Sequence, residues 1–299
     1  MNYRIVLDSP EAMSNPPNAW SNPSFMTAVA TMQNLEPYHL KCLKGKELVA
    51  LLPVYEKNTL GYRRLVCPAG SYYQGLNLWL EQSSSAPRKL LDVLQITLSM
   101  AEYLKQKYKK IQFNLSPETY DIRGFSWAGF KAVPLYTFVC NPTLELKPLS
   151  DERKKIALAL KQNYEFIEET AVEQFIKLSQ SMNERKSRHL GFSYSKFNQF
   201  VALMLKQGLM RQFNLKQQGE IVSSNILIQD GAKAYTVFRA TAPEALKLGA
   251  SSLHTVKLVE SMKADGVTEL DFCGGNVPEV ARFKAAQGLT LKVFYQIKS

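Results

Sequence analysis

From Pro37 onward the chain alternates apolar and polar positions in runs of strand length. Tyr38-His39-Leu40-Lys41-Cys42-Leu43 passes through the polar turn Lys44-Gly45-Lys46-Glu47 into Leu48 to Tyr55. A second polar turn, Lys57-Asn58-Thr59 with Gly61, leads into Arg63 to Cys67. Period-two alternation broken by short polar turns predicts a three-stranded antiparallel meander. The period then lengthens. Pro87 is well placed to open a helix, and a periodic stretch from Leu90 to Tyr108 ends in lysines. Ile111-Gln112-Phe113-Asn114-Leu115 follows as a further strand.

The second half repeats the plan. Arg211 to Leu215, the turn Gln217-Gln218-Gly219-Glu220, Ile221 to Gln229, the hairpin signal Asp230-Gly231 and Ala234 to Arg239 make another meander. A helix is predicted from about Ala250 to Ala264, with Leu253, Val256, Val259 and Met262 on one side, and then the strand Glu269-Leu270-Asp271-Phe272. At a constant offset of 159, Ile111 matches Leu270, Phe113 matches Phe272, Gly129 matches Gly288 and Tyr136 matches Tyr295. The shared element order makes this an internal duplication. A meander followed by a crossover helix requires a mixed sheet, because the strand after the helix can return parallel. The expected fold class is therefore α/β with mixed sheets, in two tandem domains, 1–147 and 148–299, joined at Asn141 to Pro148.

Composition narrows the class. With 299 residues, 45% hydrophobic and 21% charged, the chain is neither disordered nor fibrous. No apolar run approaches the ~18 residues of a membrane helix, which leaves peripheral membrane contact open. Met1 to Asp8 lacks a basic segment followed by a long apolar one, so a cytoplasmic location is expected. Cys42, Cys67, Cys140 and Cys273 are too scattered for a zinc site and too few for a disulfide framework, and read as buried free thiols. No metal spacing links His39, His189 and His254, so no metal is expected. Lys and Arg exceed Asp and Glu by 37 to 26, a net charge of +11 carried by both halves. A dispersed excess suits a polyanionic partner such as RNA, a phosphate-bearing substrate or an anionic membrane face, or simply makes a basic surface.

Several segments, taken in order, carry a family resemblance. They are Ser181-Met182-Asn183-Glu184-Arg185-Lys186-Ser187-Arg188 before the predicted helix Tyr194 to Gln207, the strand Ala234-Tyr235-Thr236-Val237, and Lys247-Leu248-Gly249-Ala250-Ser251. Leu270-Asp271-Phe272-Cys273-Gly274-Gly275 and Arg282-Phe283-Lys284 before Gly288 follow, and the first half adds Trp20 to Phe25 and Pro68 to Tyr73. Together these resemble the FemAB-like transferases, which include the FemABX-type peptidoglycan aminoacyltransferases. The resemblance implies a tandem GNAT fold that transfers an acyl or aminoacyl group to an amine. An acetyl-CoA-dependent GNAT domain usually has a Gln/Arg-x-x-Gly-x-Gly/Ala loop before its crossover helix. Here Gly249 is in place, but Leu246 and Ser251 fill the other key positions, and Ser83-Ser84-Ser85-Ala86-Pro87 has no glycine. That tilts the donor toward aminoacyl-tRNA over acyl-CoA. The long helical-hairpin arm of some tRNA-using relatives is absent.

Candidate chemistry follows from these segments. Acyl transfer to an amine depends on positioning and on stabilising the tetrahedral oxyanion, so no enzyme nucleophile is required. Lys284 matches the family's Phe-Lys element, implicated near the transferring carbonyl, and otherwise reads as a surface helix lysine. Asp271, beside Gly274-Gly275, could orient the amine or hydrogen-bond the glycine turn, the second being favoured. Arg185 and Arg188, with Lys186, could grip a substrate phosphate or form a solvated helix end. Tyr72, Tyr73 and Tyr235 are substrate-binding candidates with core packing as the alternative, and Gly249 and Ser251 are the donor-binding candidates. The leading function is an N-acyltransferase acting on an amine-bearing acceptor, such as a phosphate-containing envelope (peptidoglycan) precursor, with aminoacyl-tRNA as donor and no resident cofactor. The alternatives are a CoA-dependent N-acetyltransferase with a diverged donor loop, and a non-catalytic tandem-GNAT protein that binds RNA or an anionic glycan precursor.

Overall fold

The computed structural model describes residues 3–10 and 16–299, so Met1 and Asn2 of the N-terminal stretch lie outside the described residues. The chain divides into two compact units, Met1–Leu135 with Val293–Ser299, and Tyr136–Lys292.

The first unit contains β1 (Tyr3–Asp8), α1 (Pro23–Gln33), β2 (Glu36–Lys44), β3 (Glu47–Thr59), β4 (Tyr62–Leu65), β5 (Asn77–Leu78), α2 (Ala86–Lys107), β6 (Gln112–Asn114) and α3 (Arg123–Trp127), and the start of β7 (Lys131–Cys140). Its meander is antiparallel in the order β1-β2-β3-β4, with β5 also on β3. The central strand β3 is buried continuously from Val49 to Glu56, as expected for a strand covered on both faces. Ile96, Met100 and Leu104 recur every fourth residue on α2 and join Leu40, Leu52 and Val54 in one core. The buried Glu56 carboxylate accepts from Tyr108 at 2.7 Å and from Arg63 at 2.6 Å.

The second unit contains α4 (Ser150–Leu160), β8 (Glu165–Glu168), α5 (Val172–Arg185), α6 (Tyr194–Lys206), β9 (Arg211–Gln217), β10 (Glu220–Asp230), β11 (Lys233–Thr241), α7 (Pro243–Lys247), α8 (Ala250–Ala264), β12 (Glu269–Asp271) and α9 (Pro278–Ala286), and the start of β13 (Thr290–Lys298). Its strands run in the order β7-β12-β11-β10-β9-β8. The β11–β12 pair is parallel and its neighbours are antiparallel, which gives the mixed sheet expected from the element order. Leu258, Val259 and Met262 of α8 pack on Phe213, Leu227 and Leu270. Phe175 of α5 and Phe197 of α6 meet edge-on at 5.8 Å, and Phe197 meets Phe238 of β11 at 4.9 Å.

The repeats are similar in order and different in detail. In the first unit β4 stops at Leu65, and one backbone bond, Leu65 N–H to the Lys110 carbonyl at 3.0 Å, links it toward β6. Pro68 lacks an N–H, and Gly70 turns the chain at φ 85°. Gln74 takes the place beside β6. Its backbone donates to the Asn114 carbonyl at 2.7 Å and its side-chain oxygen accepts the Asn114 N–H at 2.8 Å.

The closing strands explain the division of the chain. β7, last in the first repeat, pairs with β12 through Leu270↔Cys140, and β13, last in the second, pairs with β6 through Gln296↔Asn114. Each unit thus takes its closing strand from the other repeat, and the division falls inside β7 instead of between 147 and 148. Gly129 and Gly288 both sit in left-handed backbone, at φ 87° and 81°, between a helix and these closing strands. Among the described residues no helix is long and apolar enough to cross a membrane.

Candidate functional site

In the second unit β11 and β12 are paired over three residues only, from Lys233↔Glu269 to Tyr235↔Asp271. Beyond that point β11 continues to Thr241, while the other chain leaves through Phe272 to Val277 and enters α9. Two parallel strands that part in this way open a wedge, and Tyr235 and Asp271 are the last pair at its apex. Both are buried.

Asp271 Oδ1 accepts the Thr137 hydroxyl at 2.5 Å and the Cys273 N–H at 2.8 Å. The carboxylate thus meets the Cys273 N–H just ahead of the glycine pair, not the glycine N–H groups themselves, with Thr137 as an additional partner. Cys273 and Gly274 then adopt left-handed backbone at φ 44° and 77°.

Lys284 is not on the surface. It is 7% exposed, and its ammonium donates to the carbonyls of Phe272 at 2.6 Å, Cys273 at 2.7 Å and Gly274 at 2.5 Å. An ammonium has three donors, and all three are spent on this turn. Burial lowers the Lys284 pKa to about 8, against the opposing pull of Cys273 and Asp271, with Arg239 lowering it further.

The three carbonyls have a structural consequence. In a trans peptide the carbonyl and the next N–H point in opposite directions. Gathering three carbonyls on Lys284 therefore turns the N–H groups of Cys273, Gly274 and Gly275 away from it. The Cys273 N–H goes to Asp271, whereas those of Gly274 and Gly275 have no partner among the described residues. Successive free N–H groups in such a turn form an anion-seeking nest. Gly275 cannot carry a side chain here, since a Cβ would stand 2.9 Å from Phe138 Cε2.

The sequence reading missed Arg239. Its guanidinium donates to Thr255 Oγ1 at 3.2 Å and to the Ser251 carbonyl, and lies 5.3 Å from the Phe283 ring centre. Burial brings its pKa down to about 10. The available signal was an arginine in the otherwise mostly apolar strand Ala234 to Ala240.

Gly249 and Ser251, the donor-binding candidates, are drawn into the packing of α8. Gly249 has φ 80°, and a Cβ there would come 2.2 Å from the Lys155 carbonyl oxygen of α4. Ser251 Oγ donates to Thr241 Oγ1 at 3.1 Å. The nearby Glu152 carboxylate, on a residue 4% exposed, accepts from Ser252 Oγ at 2.6 Å, Gln287 Nε2 at 2.7 Å and Lys155 Nζ at 2.5 Å. The first turn of a crossover helix is a natural anion seat. Here the chain's own Glu152 carboxylate and the α4 backbone pack against that turn.

The remaining candidates are dispersed. Arg185, Lys186 and Arg188 are exposed at the end of α5, with Ser187 at φ 48° between them. Partial desolvation lowers the Lys186 pKa, as do the neighbouring charges of Arg188 and Arg185, while Glu279 of α9 opposes them. His254 is buried and neutral, its pKa driven well down by burial and by Arg239, with Nδ1 2.8 Å from Ser223 Oγ. In the first unit Tyr73 is a packing residue, edge-on to Trp20 at 5.9 Å and to Phe294 at 5.2 Å. Tyr72 is half-buried, and its carbonyl accepts from Asn114 at 3.0 Å. Among the described residues no His, Cys, Asp and Glu cluster could hold a metal.

Splayed parallel strands, a crossover helix and a repeated unit define a tandem GNAT fold, the architecture of acyltransferases. Residues 150–285 match the family model described as an acetyltransferase (GNAT) domain. Over the whole chain the fold is similar to that of FemX, with a TM-score of 0.66, 14% identity, and 99% of this chain and 97% of that one covered. L-PGS from Bacillus licheniformis is similar at a TM-score of 0.58 and 12% identity, over 91% of this chain and 86% of that one. A tandem GNAT protein from the clavulanic acid biosynthesis pathway is similar at a TM-score of 0.51 and 11% identity, covering 99% and 98%. No curated protein sequence gives a significant match. The FemAB-like, tandem GNAT fold expected from the sequence is borne out.

Proposed function

We propose that this protein is an N-acyltransferase that moves an aminoacyl group from the ester of an aminoacyl-tRNA to the amine of a phosphate-bearing cell-envelope precursor. The observation that carries the donor assignment is Glu152 bound to the first turn of α8, which disfavours the pyrophosphate of CoA. The net charge of +11 suits a polyanionic donor. Arg185 and Arg188, exposed after α5, offer guanidinium forks to the phosphates of the acceptor.

In the reaction the acceptor's neutral amine attacks the ester carbonyl. A C–N bond forms, the carbon–ribose oxygen bond breaks, and the proton lost by the amine ends on the ribose oxygen. The free N–H groups of Gly274 and Gly275 receive the negative charge that develops on the carbonyl oxygen. Lys284 acts through them as a positioning residue, since its own donors are occupied. Asp271 holds the turn from the other side through Cys273.

The test is to offer labelled aminoacyl-tRNA, acetyl-CoA and longer acyl-CoAs, recording thermal protection and transfer to an amine-bearing, UDP-linked peptide precursor. Protection and transfer with aminoacyl-tRNA are expected. Transfer from acyl-CoA, with no response to aminoacyl-tRNA, would replace this reading with the CoA-dependent one.

A further inference from the structure

Arg239 carries a charge that the protein does not neutralise. Its described partners are the Ser251 carbonyl, the Thr255 hydroxyl and the Phe283 ring, none of them an acid. The buried Asp271 carboxylate, which acts on Lys284, already serves Thr137 and Cys273, and Lys284, a second buried cation that feels Arg239, adds to the positive potential. His254, which also feels Arg239, is neutral and contributes no negative charge.

The donors around Arg239 are also incomplete. A guanidinium has five N–H groups, and the two described hydrogen bonds leave Nε buried without a partner. Across the β10–β11 ladder, Asn225 is directly paired with Arg239, which puts both side chains on the same face of the sheet. Asn225 is 1% exposed, and its Nδ2 is likewise buried without a partner. Leaving a buried donor unmet is costly, and more so when the group is charged. Two such donors side by side, with net positive charge behind them, call for an acceptor that is itself negative.

We infer that Arg239 and Asn225 form a binding site for an oxyanion, a carboxylate or phosphate group of a ligand. The Phe283 ring and the two bonds to α8 hold the guanidinium in place, so a ligand oxygen meets an immobilised fork with little ordering cost. The anion supplies the missing charge, and its oxygens can accept from Arg239 Nε–H and Asn225 Nδ2–H. The site goes beyond the transfer reading and does not depend on it.

The experiment is an NMR titration of the full chain with labelled arginine and asparagine side chains. Sodium phosphate and sodium acetate are added separately, with ionic strength held constant by chloride. A saturable shift of the Arg239 Nε–H and Asn225 amide signals is expected with at least one of the two. Response to phosphate alone identifies a phosphate-bearing ligand, response to acetate alone a carboxylate, and response to both the shared oxyanion chemistry. Thermal stabilisation by the responding anion should weaken about tenfold in Arg239→Lys, which keeps the charge and loses the fork. Asn225→Ser should weaken it less. Silence of both wild-type signals would overturn the site, as would undiminished stabilisation in a folded Arg239→Lys protein. If Arg239→Lys fails to fold, the wild-type titration decides alone. No turnover is measured, so an inactive transferase with responsive signals would refute the proposed function and leave this site standing.

Discussion

The Lys284 ammonium lies 2.7 Å from the carbonyl of Cys273, a residue held in left-handed backbone at φ 44°. A buried cation thus sustains a turn that an ordinary residue adopts reluctantly. The turn is what presents the Gly274 and Gly275 N–H groups.

Lys284→Met keeps much of the aliphatic stem and orphans three carbonyls. With about 1–3 kcal/mol for an unmet buried group, partly relieved by water, a loss on the order of 3–5 kcal/mol is expected in urea unfolding. Turnover should fall by roughly 10²–10³ if the nest holds the oxyanion. Lys284→Arg should recover little of either, because a planar fork does not match three converging carbonyls. A stability change below about 0.5 kcal/mol would return Lys284 to the status of a surface lysine.

The same residue predicts a pH dependence. Its pKa is about 8 in the folded chain against an ordinary 10.5, so between these values the unfolded chain binds more protons. Stability carried by Lys284 should therefore rise with pH across that window, by up to about 3 kcal/mol. Many tyrosines titrate nearby, so the informative quantity is the wild-type stability minus that of Lys284→Met at pH 7.5, 9 and 10.5. A difference that stays flat or moves the other way would contradict the depressed value.

Gly129 and Gly288 occupy equivalent places in the two repeats, yet their replacement should not cost the same. Both have positive φ, so alanine brings about 1–2 kcal/mol of strain at each. At Gly129 the new Cβ would meet Lys105 Nζ at 3.0 Å, the far end of a flexible side chain, whereas at Gly288 it would meet the Lys147 carbonyl oxygen at 2.7 Å. Gly288→Ala should accordingly be the more destabilising in parallel melts, and equal losses would count against this backbone contact.

Glu152 tests the donor argument. Glu152→Ala removes the acceptor for buried Ser252 and Gln287 donors, and should cost about 2–3 kcal/mol, more than Glu152→Gln, which keeps a side-chain oxygen. Calorimetry of the wild type with acetyl-CoA should give no saturable heat. A micromolar Kd, abolished by Gly249→Pro, would mean that the seat at α8 accepts the nucleotide despite Glu152.

Local pattern alone determined much of the fold. The apolar spacing of Leu253, Val259 and Met262 placed α8 at Ala250–Ala264, and alternation with polar turns located both meanders. These features are set by residues a few positions apart, where backbone period and turn chemistry dominate. Asp271 could be read as a partner of the adjoining turn for the same reason, although the N–H it meets is that of Cys273, two residues away, and not of the glycines.

The tertiary structure decided what depends on distant neighbours. Lys284 stands out in the sequence only through the Phe283-Lys284 element of the resemblance; that it is buried against the carbonyls of residues ten to twelve positions earlier is set by packing. Glu152 meets Ser252 across one hundred residues, so no local signal could show α8's first turn to be filled. Arg239 was passed over because its missing counter-charge is a property of everything packed around it. The closing strands β7 and β13 likewise pair outside their own repeats, a choice made by sheet assembly. Period and turn type are short-range and written in sequence, whereas burial, charge balance and strand partners are set when remote segments pack together.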